Sequence, residues 1–219
     1  MILSIAHTKG GVGKTTTAIQ LATYLRVVKN IEDVLLIDAD SQHSSQNAIT
    51  RRNTNPDIIS KDLKLNCEFF KTSDNLLAQI DLRKKNHKYI IIDIGARNSD
   101  MFRASLNISN AVLIPFQPQA FSIEAFLDEF LPLYKDAKRL GPVCKLFGFI
   151  NFAEAQGSAN DETKEYLGNM EDIEYLDCCV GKRKSILVST SFGRSVFEEK
   201  PKDQKACAEI ENLANCLFM

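Results

Sequence analysis

Near its amino end the chain runs Lys9-Gly10-Gly11-Val12-Gly13-Lys14-Thr15-Thr16. Glycines lack a Cβ, so at Gly10, Gly11 and Gly13 the backbone can turn its N–H groups inward around the oxygens of a phosphate. In such a loop Lys14 lies over the β and γ phosphates and the Thr15 hydroxyl is a ligand for Mg²⁺. Two acidic sites follow. The apolar run Val34-Leu35-Leu36-Ile37 ends in Asp38-Ala39-Asp40-Ser41-Gln42, and Tyr89-Ile90-Ile91-Ile92 ends in Asp93-Ile94-Gly95. The second has the form of a Walker B strand end, where Asp93 can hold Mg²⁺ through water and the Gly95 N–H can approach a γ-phosphate. Transfer of a phosphoryl group needs little from a protein beyond positioning and charge, and these residue types supply both.

A phosphate loop works only when a strand delivers it and a helix leaves it. Ile2–Ala6 precedes the loop and the helical stretch from Lys14 to Val28 follows, so the helix N-terminus adds its positive dipole end to the amides. Further apolar runs, Val34–Asp38, Tyr89–Ile94, Ala111–Phe116 and Lys145–Asn151, predict strands. Because several are apolar at successive positions, they suit strands covered on both faces. Helices are predicted over 74–84, 122–140, 161–170 and 203–217, and the polar stretch 51–64 reads as a loop with a short helix. The fold class is therefore α/β: a mostly parallel twisted sheet flanked by helices on both faces.

Composition narrows the alternatives. The chain has 219 residues, 44% hydrophobic and 25% charged, which fits one globular domain over 1–219 and excludes a wholly disordered chain. With 27 Lys+Arg against 28 Asp+Glu, no global positive field drives it onto nucleic acid, so any such binding is local. The total conceals two patches: residues 154–177 hold eight acids and one base, and residues 179–205 hold seven bases and three acids. Cys67, Cys144, Cys178, Cys179, Cys207 and Cys216 show no C-x-x-C spacing and lie far from His7, His43 and His87, which argues against zinc. No apolar run reaches the roughly 18 residues of a membrane helix, and no signal peptide precedes the first strand. The expectation is a cytoplasmic protein whose cysteines are packing thiols.

One position departs from the ordinary Walker A rule: Thr8 stands where the first glycine belongs, with Lys9 beside it. Lys-Gly-Gly-Val-Gly-Lys-Thr-Thr resembles the deviant Walker A of the ParA/MinD family of P-loop ATPases. The resemblance extends from Lys9 to Leu213, most like small ParA-type partition proteins without an N-terminal DNA-binding extension, for which a first strand beginning at residue 2 leaves no room. It implies ATP and Mg²⁺ as cofactors, with Gly10, Gly11, Val12, Gly13, Lys14, Thr15, Thr16 and Gly95 at the nucleotide. It also implies that Lys9 reaches the nucleotide of a second copy in an ATP-bound homodimer. Asp38 to Gln42 resembles the D-x-D-P-Q switch I, in which Asp40 orients the attacking water and Asp38 sits near the metal with Thr15 and Asp93. Ser41 replaces the usual proline. Both acids could instead cap a following helix. Gly95-Ala96-Arg97-Asn98-Ser99 resembles a switch II, with Ala96 and Asn98 departing.

Pro115, Pro118 and Gln119 match a family segment at the dimer face and base pocket. Asn151 ends a strand where a family asparagine meets the adenine edge, although an amide there could equally satisfy a loop backbone. Lys182, Arg183, Lys184 and Arg194, around Gly193-Arg194-Ser195-Val196-Phe197-Glu198, resemble the ending whose cations bind non-specific DNA by phosphate neutralisation. A solvated basic loop is the plainer reading. The last helix carries an apolar stripe, Ala206, Ile210, Leu213 and Leu217, that packs on the body rather than on lipid. The resemblance implies a weak, nucleoid-associated ATPase that segregates plasmid or chromosomal DNA with a ParB-like or centromere-binding partner and does not use a membrane. The alternatives are positioning of a protein cargo such as a microcompartment or chemotaxis cluster, a MinD-like role, metal insertion through Cys178 and Cys179, and a small-molecule ligase.

Overall fold

The computed structural model describes residues 1–96 and 99–218. Arg97 and Asn98 of the switch II resemblance lie outside the described residues. In chain order the elements are β1 (Ile2–Ile5), α1 (Lys14–Val27), β2 (Val34–Ala39), α2 (Ser44–Asn53), α3 (Pro56–Ser60), β3 (Asn66–Phe69) and α4 (Ser73–Asn86). There follow β4 (Tyr89–Ile94), α5 (Ser99–Ile108), β5 (Ala111–Phe116), α6 (Ala120–Ala125), a π-helical turn (Phe126–Phe130) and α7 (Leu131–Leu140). The last third contains β6 (Lys145–Ala153), α8 (Ala159–Gly168), β7 (Glu174–Gly181), α9 (Lys184–Ser191), a 3₁₀ turn (Val196–Glu198) and α10 (Gln204–Phe218).

The strands pair in parallel in the order β3-β2-β4-β1-β5-β6-β7. Alternate residues of the central strands feed two separate cores. On one face Leu3, Ile5, Leu36 and Ile91 pack with α1, α9 and α10. On the other, Ile2, Ile37, Ile90 and Ile92 pack with α4, α5 and the π turn. Burial on both faces is why these strands read as unbroken apolar runs. The stripe Ala206, Ile210, Leu213 and Leu217 of α10 faces the first core. Among the described residues, no helix is long and apolar enough to cross a membrane.

The five strands expected from sequence are all present, with β2 and β6 extended by one and two residues. Two edge strands, β3 and β7, are additions. Each is partly exposed, and β7 alternates between exposed and buried positions around Asp177, so neither shows a continuous apolar run. The predicted helix over 122–140 begins earlier and is interrupted at Phe126–Phe130, where Phe126 and Phe130 stack with ring centroids 5.2 Å apart. The order of strands matters for the site. β1 lies between β4 and β5; the connection leaving β1 runs toward β2 and the one leaving β5 runs the other way toward β6, which opens a crevice at the carboxyl edge, where ligands of such sheets bind.

Candidate active site

The loop between β1 and α1 stands over that crevice. Gly13 caps α1 at φ 93 and ψ 23, a left-handed conformation that any Cβ would strain. A Cβ there would also lie 2.1 Å from Asn151 Nδ2. That amide donates to the Val12 carbonyl at 2.8 Å, and Gln117 Nε2 donates to the Gly11 carbonyl at 2.9 Å. The loop is thus tied down by the ends of β5 and β6 in addition to its own strand and helix. Of the two uses weighed for Asn151, the structure displays the backbone contact.

The two lysines face different surroundings. Lys14 is buried, its Nζ donates to the Lys9 carbonyl at 3.2 Å, and burial lowers its pKa. Lys9 lies half-buried at the rim, its Nζ 5.9 Å from the ring centroid of Phe121, which is 72% exposed. Thr8, the departure from the ordinary motif, donates its hydroxyl to the Ala125 carbonyl at 3.0 Å, at the entrance to the π turn. The threonine therefore anchors the loop to α6 where a glycine could not. Beneath it His7 is 2% exposed; Nδ1 accepts the Lys9 N–H at 3.0 Å, and Nε2 has no hydrogen-bond partner among the described residues. Burial, reinforced by Lys14, pushes the imidazole pKa down to about 3.

Parallel pairing of β2 and β4 sets Asp38 opposite Asp93. Asp93 Oδ2 accepts two hydroxyls, from Thr15 at 2.7 Å and Ser45 at 2.6 Å, while the buried Oδ1 has no hydrogen-bond partner among the described residues. Burial pushes this carboxyl up to about 6. Asp38 is also buried, which raises its pKa, and its two oxygens accept the N–H groups of Asp40 at 2.9 Å and Gln46 at 2.8 Å. It holds the first turn of α2, the capping role weighed for it. Asp40 lies close against Gly95: a Cβ on Gly95 would lie 3.1 Å from its carboxyl carbon. A cleft of about 460 Å³ opens beside Asp40, lined by Gln42, Phe69, Lys71 and Gly95.

A cation fits this donor set. Thr15 offers a hydroxyl, and Asp93 offers an oxygen that none of the described residues supplies with a donor, in a place where an uncompensated carboxylate is costly. Ser45 and Gln117 are not singled out by the sequence, and Thr8 is singled out there only as a departure from the motif. Serines and glutamines are common, and only the register of β2 against β4 and the approach of β5 to the loop give Ser45 and Gln117 their partners, as the packing of α6 against the loop gives Thr8 its own.

A second cleft, about 450 Å³, is lined by Pro118, Gln119, Phe152, Glu154, Lys182 and Arg183. Phe152 adopts φ 56, an uncommon conformation for an aromatic residue, and its ring would meet a Cβ on Gly13 at 3.2 Å. Two of the four expected DNA-binding cations thus border the cleft at the phosphate loop. Arg183 is engaged there by Glu209, with Nε to Oε2 at 2.6 Å. Arg194 stacks on Phe192 at 5.4 Å and lies 3.8 Å from Glu199. Lys182 and Lys184 are exposed. Cys178 and Cys179 point into opposite cores of the sheet, so they cannot ligate one ion together.

A family model described as an AAA domain matches residues 1–63, the stretch that contains β1, the phosphate loop, α1, β2 and α2. The chromosome partitioning protein ParA of Caulobacter vibrioides is 25% identical, over 90% of this chain and 86% of that protein. An uncharacterized protein of Pseudomonas putida is 26% identical, over 95% and 91%. Among solved structures, a putative plasmid partition protein of Borrelia burgdorferi bound to AMPPNP superposes with a TM-score of 0.68 at 23% identity, covering 98% of this chain and 96% of that one. The septum site-determining protein MinD of Pyrococcus horikoshii, complexed with Mg-ADP, gives 0.73 at 16% identity, covering 99% and 95%. An ATP complex of McdA from Cyanothece gives 0.67 at 18%, covering 99% and 95%. The solved structures establish the fold, and the glycine loop with its two lysines, the family model over that loop and the near full-length sequence relatives make this chain similar to ParA/MinD-type proteins.

Proposed function

We propose that the chain is a DNA partition ATPase: its MgATP-bound form pairs with a second copy, binds DNA without sequence preference, and lets go when a cargo-bound partner accelerates hydrolysis. The observation that carries this reading is the division between the two loop lysines. Lys14 is buried under the loop, whereas Lys9 stands at the rim beside an exposed aromatic ring, placed to meet something outside its own chain. The amides of Gly10 to Thr16 cradle the phosphates, and Lys14 offsets charge between them. Asp40, held by Asp38 and lying against Gly95, accepts a hydrogen bond from the attacking water and orients it toward the γ-phosphate. Thr15 and Asp93 hold Mg²⁺, with Asp38 adding charge beside them; when bound, the ion neutralises charge on the β and γ oxygens. Asn151 and the cleft around Pro118 and Phe152 receive the base.

Lys182, Lys184 and Arg194 contribute the DNA face, and pairing two chains doubles it, which raises the effective concentration of a weak site. One observation favours a second reading, in which the same engine positions a protein cargo. Arg183 is engaged by Glu209 and Arg194 is partly engaged by Glu199, which leaves fewer free cations for phosphate than the sequence suggests. Asp40→Ala separates the readings because it should slow turnover by about a hundredfold while ATP still binds. With MgATP, this variant should retain a random-sequence duplex, with an affinity that falls steeply as salt rises. Retention that is equal with ADP and ATP, or absent with both, would overturn the DNA reading and leave the protein-cargo one.

A further inference from the structure

A serine on a helix ordinarily returns its hydroxyl to a carbonyl three or four residues back or points it to water. Thr50 of α2 does the former, donating to the Gln46 carbonyl at 2.9 Å. Ser45 does neither. It is fully buried, and its hydroxyl crosses from α2 to β4 to donate to Asp93 Oδ2 at 2.6 Å. The same oxygen accepts the Thr15 hydroxyl from α1 at 2.7 Å. Three elements therefore converge on one carboxylate oxygen, and the other oxygen of that carboxylate is buried without a hydrogen-bond partner among the described residues.

The turn that presents Ser45 is itself fixed by the acidic strand end. Asp38 Oδ2 accepts the Gln46 N–H, the Asp40 carbonyl accepts the His43 N–H at 3.0 Å, and Asp40 Oδ1 accepts the Gln42 N–H at 3.0 Å. Among the described residues Ser45 is the one side chain of α2 that hydrogen-bonds Asp93, so it joins the segment that orients water in that reading to the residue that faces the cation.

We infer that Ser45 is a positioning residue for magnesium-dependent nucleotide binding: its hydroxyl fixes the Asp93 carboxylate so that one oxygen stays free for the cation or its water. This rests on the nucleotide-site reading above. Thr15 donates to the same oxygen, but its own oxygen is a cation ligand in that reading, so its place depends on the ion it helps to hold. Ser45 supplies a donor that has no second task. Removal of a partner of this kind typically weakens metal affinity by about ten- to a hundredfold.

The test is a magnesium titration of nucleotide affinity, followed with a fluorescent non-hydrolysable ATP analogue, on wild type, Ser45→Ala and Thr50→Ala. Ser45→Ala should raise the magnesium concentration at half-effect by about tenfold or more, while affinity in EDTA stays within about twofold of wild type. Thr50→Ala, which removes an exposed hydroxyl from the same helix, should match wild type in both. An unchanged magnesium midpoint in Ser45→Ala would overturn the inference alone. An equal loss in magnesium and in EDTA would overturn it too, because Ser45 would then support the loop or the fold. If wild type itself fails to bind the analogue, the nucleotide-site reading falls first.

Discussion

His7 shows how the loop's surroundings govern a single group. An imidazole in water protonates near 6.5, but this one is sealed beneath two lysines, and its folded value is about 3. Between those values the unfolded chain binds a proton that the folded chain refuses, so stability falls as pH drops below 6.5 and the loss is complete only near 3. The slope from this one group reaches about 1.4 kcal/mol per pH unit. Asp93 and Asp38 act in the opposite sense, since burial raises their folded values and their contribution fades as pH rises. They are common to both proteins when wild type is compared with His7→Asn, which keeps an acceptor for the Lys9 N–H and cannot titrate. Urea unfolding at pH 7, 6 and 5 should show wild type losing stability more steeply than the variant. Parallel curves would mean that His7 is hydrated in the folded protein.

Helices α1 and α2 run from the phosphate end to the C-terminal segment 189–198, and each grips it with one buried polar side chain. Gln20 of α1 is fully buried; its Nε2 lies 3.0 Å from Ser189 Oγ, Thr190 Oγ1 and the Arg194 carbonyl, and its Oε1 accepts the Val196 N–H at 2.9 Å. Arg52 of α2 pairs with Glu198 at 2.7 Å and donates to the Gly193 carbonyl at 3.2 Å. Gly193, at φ 63, lets the segment approach: a Cβ there would lie 2.3 Å from the Ala48 carbonyl oxygen. Ser195 and Glu198 close a capping box. The Gly-x-Ser-Val-Phe-Glu ending is thus accounted for by packing, with Arg194 as the residue it presents. Gln20→Ala should strand several of these partners in a dry site and cost about 2–4 kcal/mol, at roughly 1–3 kcal/mol for each buried group left unsatisfied. Chemical denaturation checks it, and a change under 1 kcal/mol would show that water replaces the amide. This is also where sequence reading stops. The loop, its strand and its helix were legible because glycine spacing and unbroken apolar runs are local signals. α2, with little apolar content, and β7, half-exposed at the sheet edge, owe their form to neighbours, as do the bonds of Gln20, Ser45 and Arg52, whose partners lie far along the chain.

At the scale of the molecule, the sheet gathers the loop, both acidic strand ends and the cleft around Pro118 and Phe152 onto one edge, and the Lys9 ammonium there is held by its own chain only through an aromatic ring. Its ammonium meets Phe121 at 5.9 Å, and none of its described contacts is an ion pair. A lone cation at the rim of a triphosphate site gains most from a second triphosphate brought by another copy, because a charge-assisted bond to phosphate is about twice as strong as a neutral one. Nucleotide binding to one chain should then depend on Lys14, and association of two chains on Lys9. In sedimentation velocity with a non-hydrolysable ATP analogue and magnesium, wild type should shift from monomer to dimer. Lys9→Ala should remain monomeric while binding the analogue within about threefold of wild type, since on the proposed reading the residue it lacks serves the opposite chain and surface charges elsewhere contribute little to the loop. Lys14→Ala should fail at the earlier step and bind poorly as a monomer. A Lys9→Ala protein that still dimerises with the analogue would remove the trans-acting lysine from the account and leave a nucleotide-binding protein whose association, if any, is built from another surface.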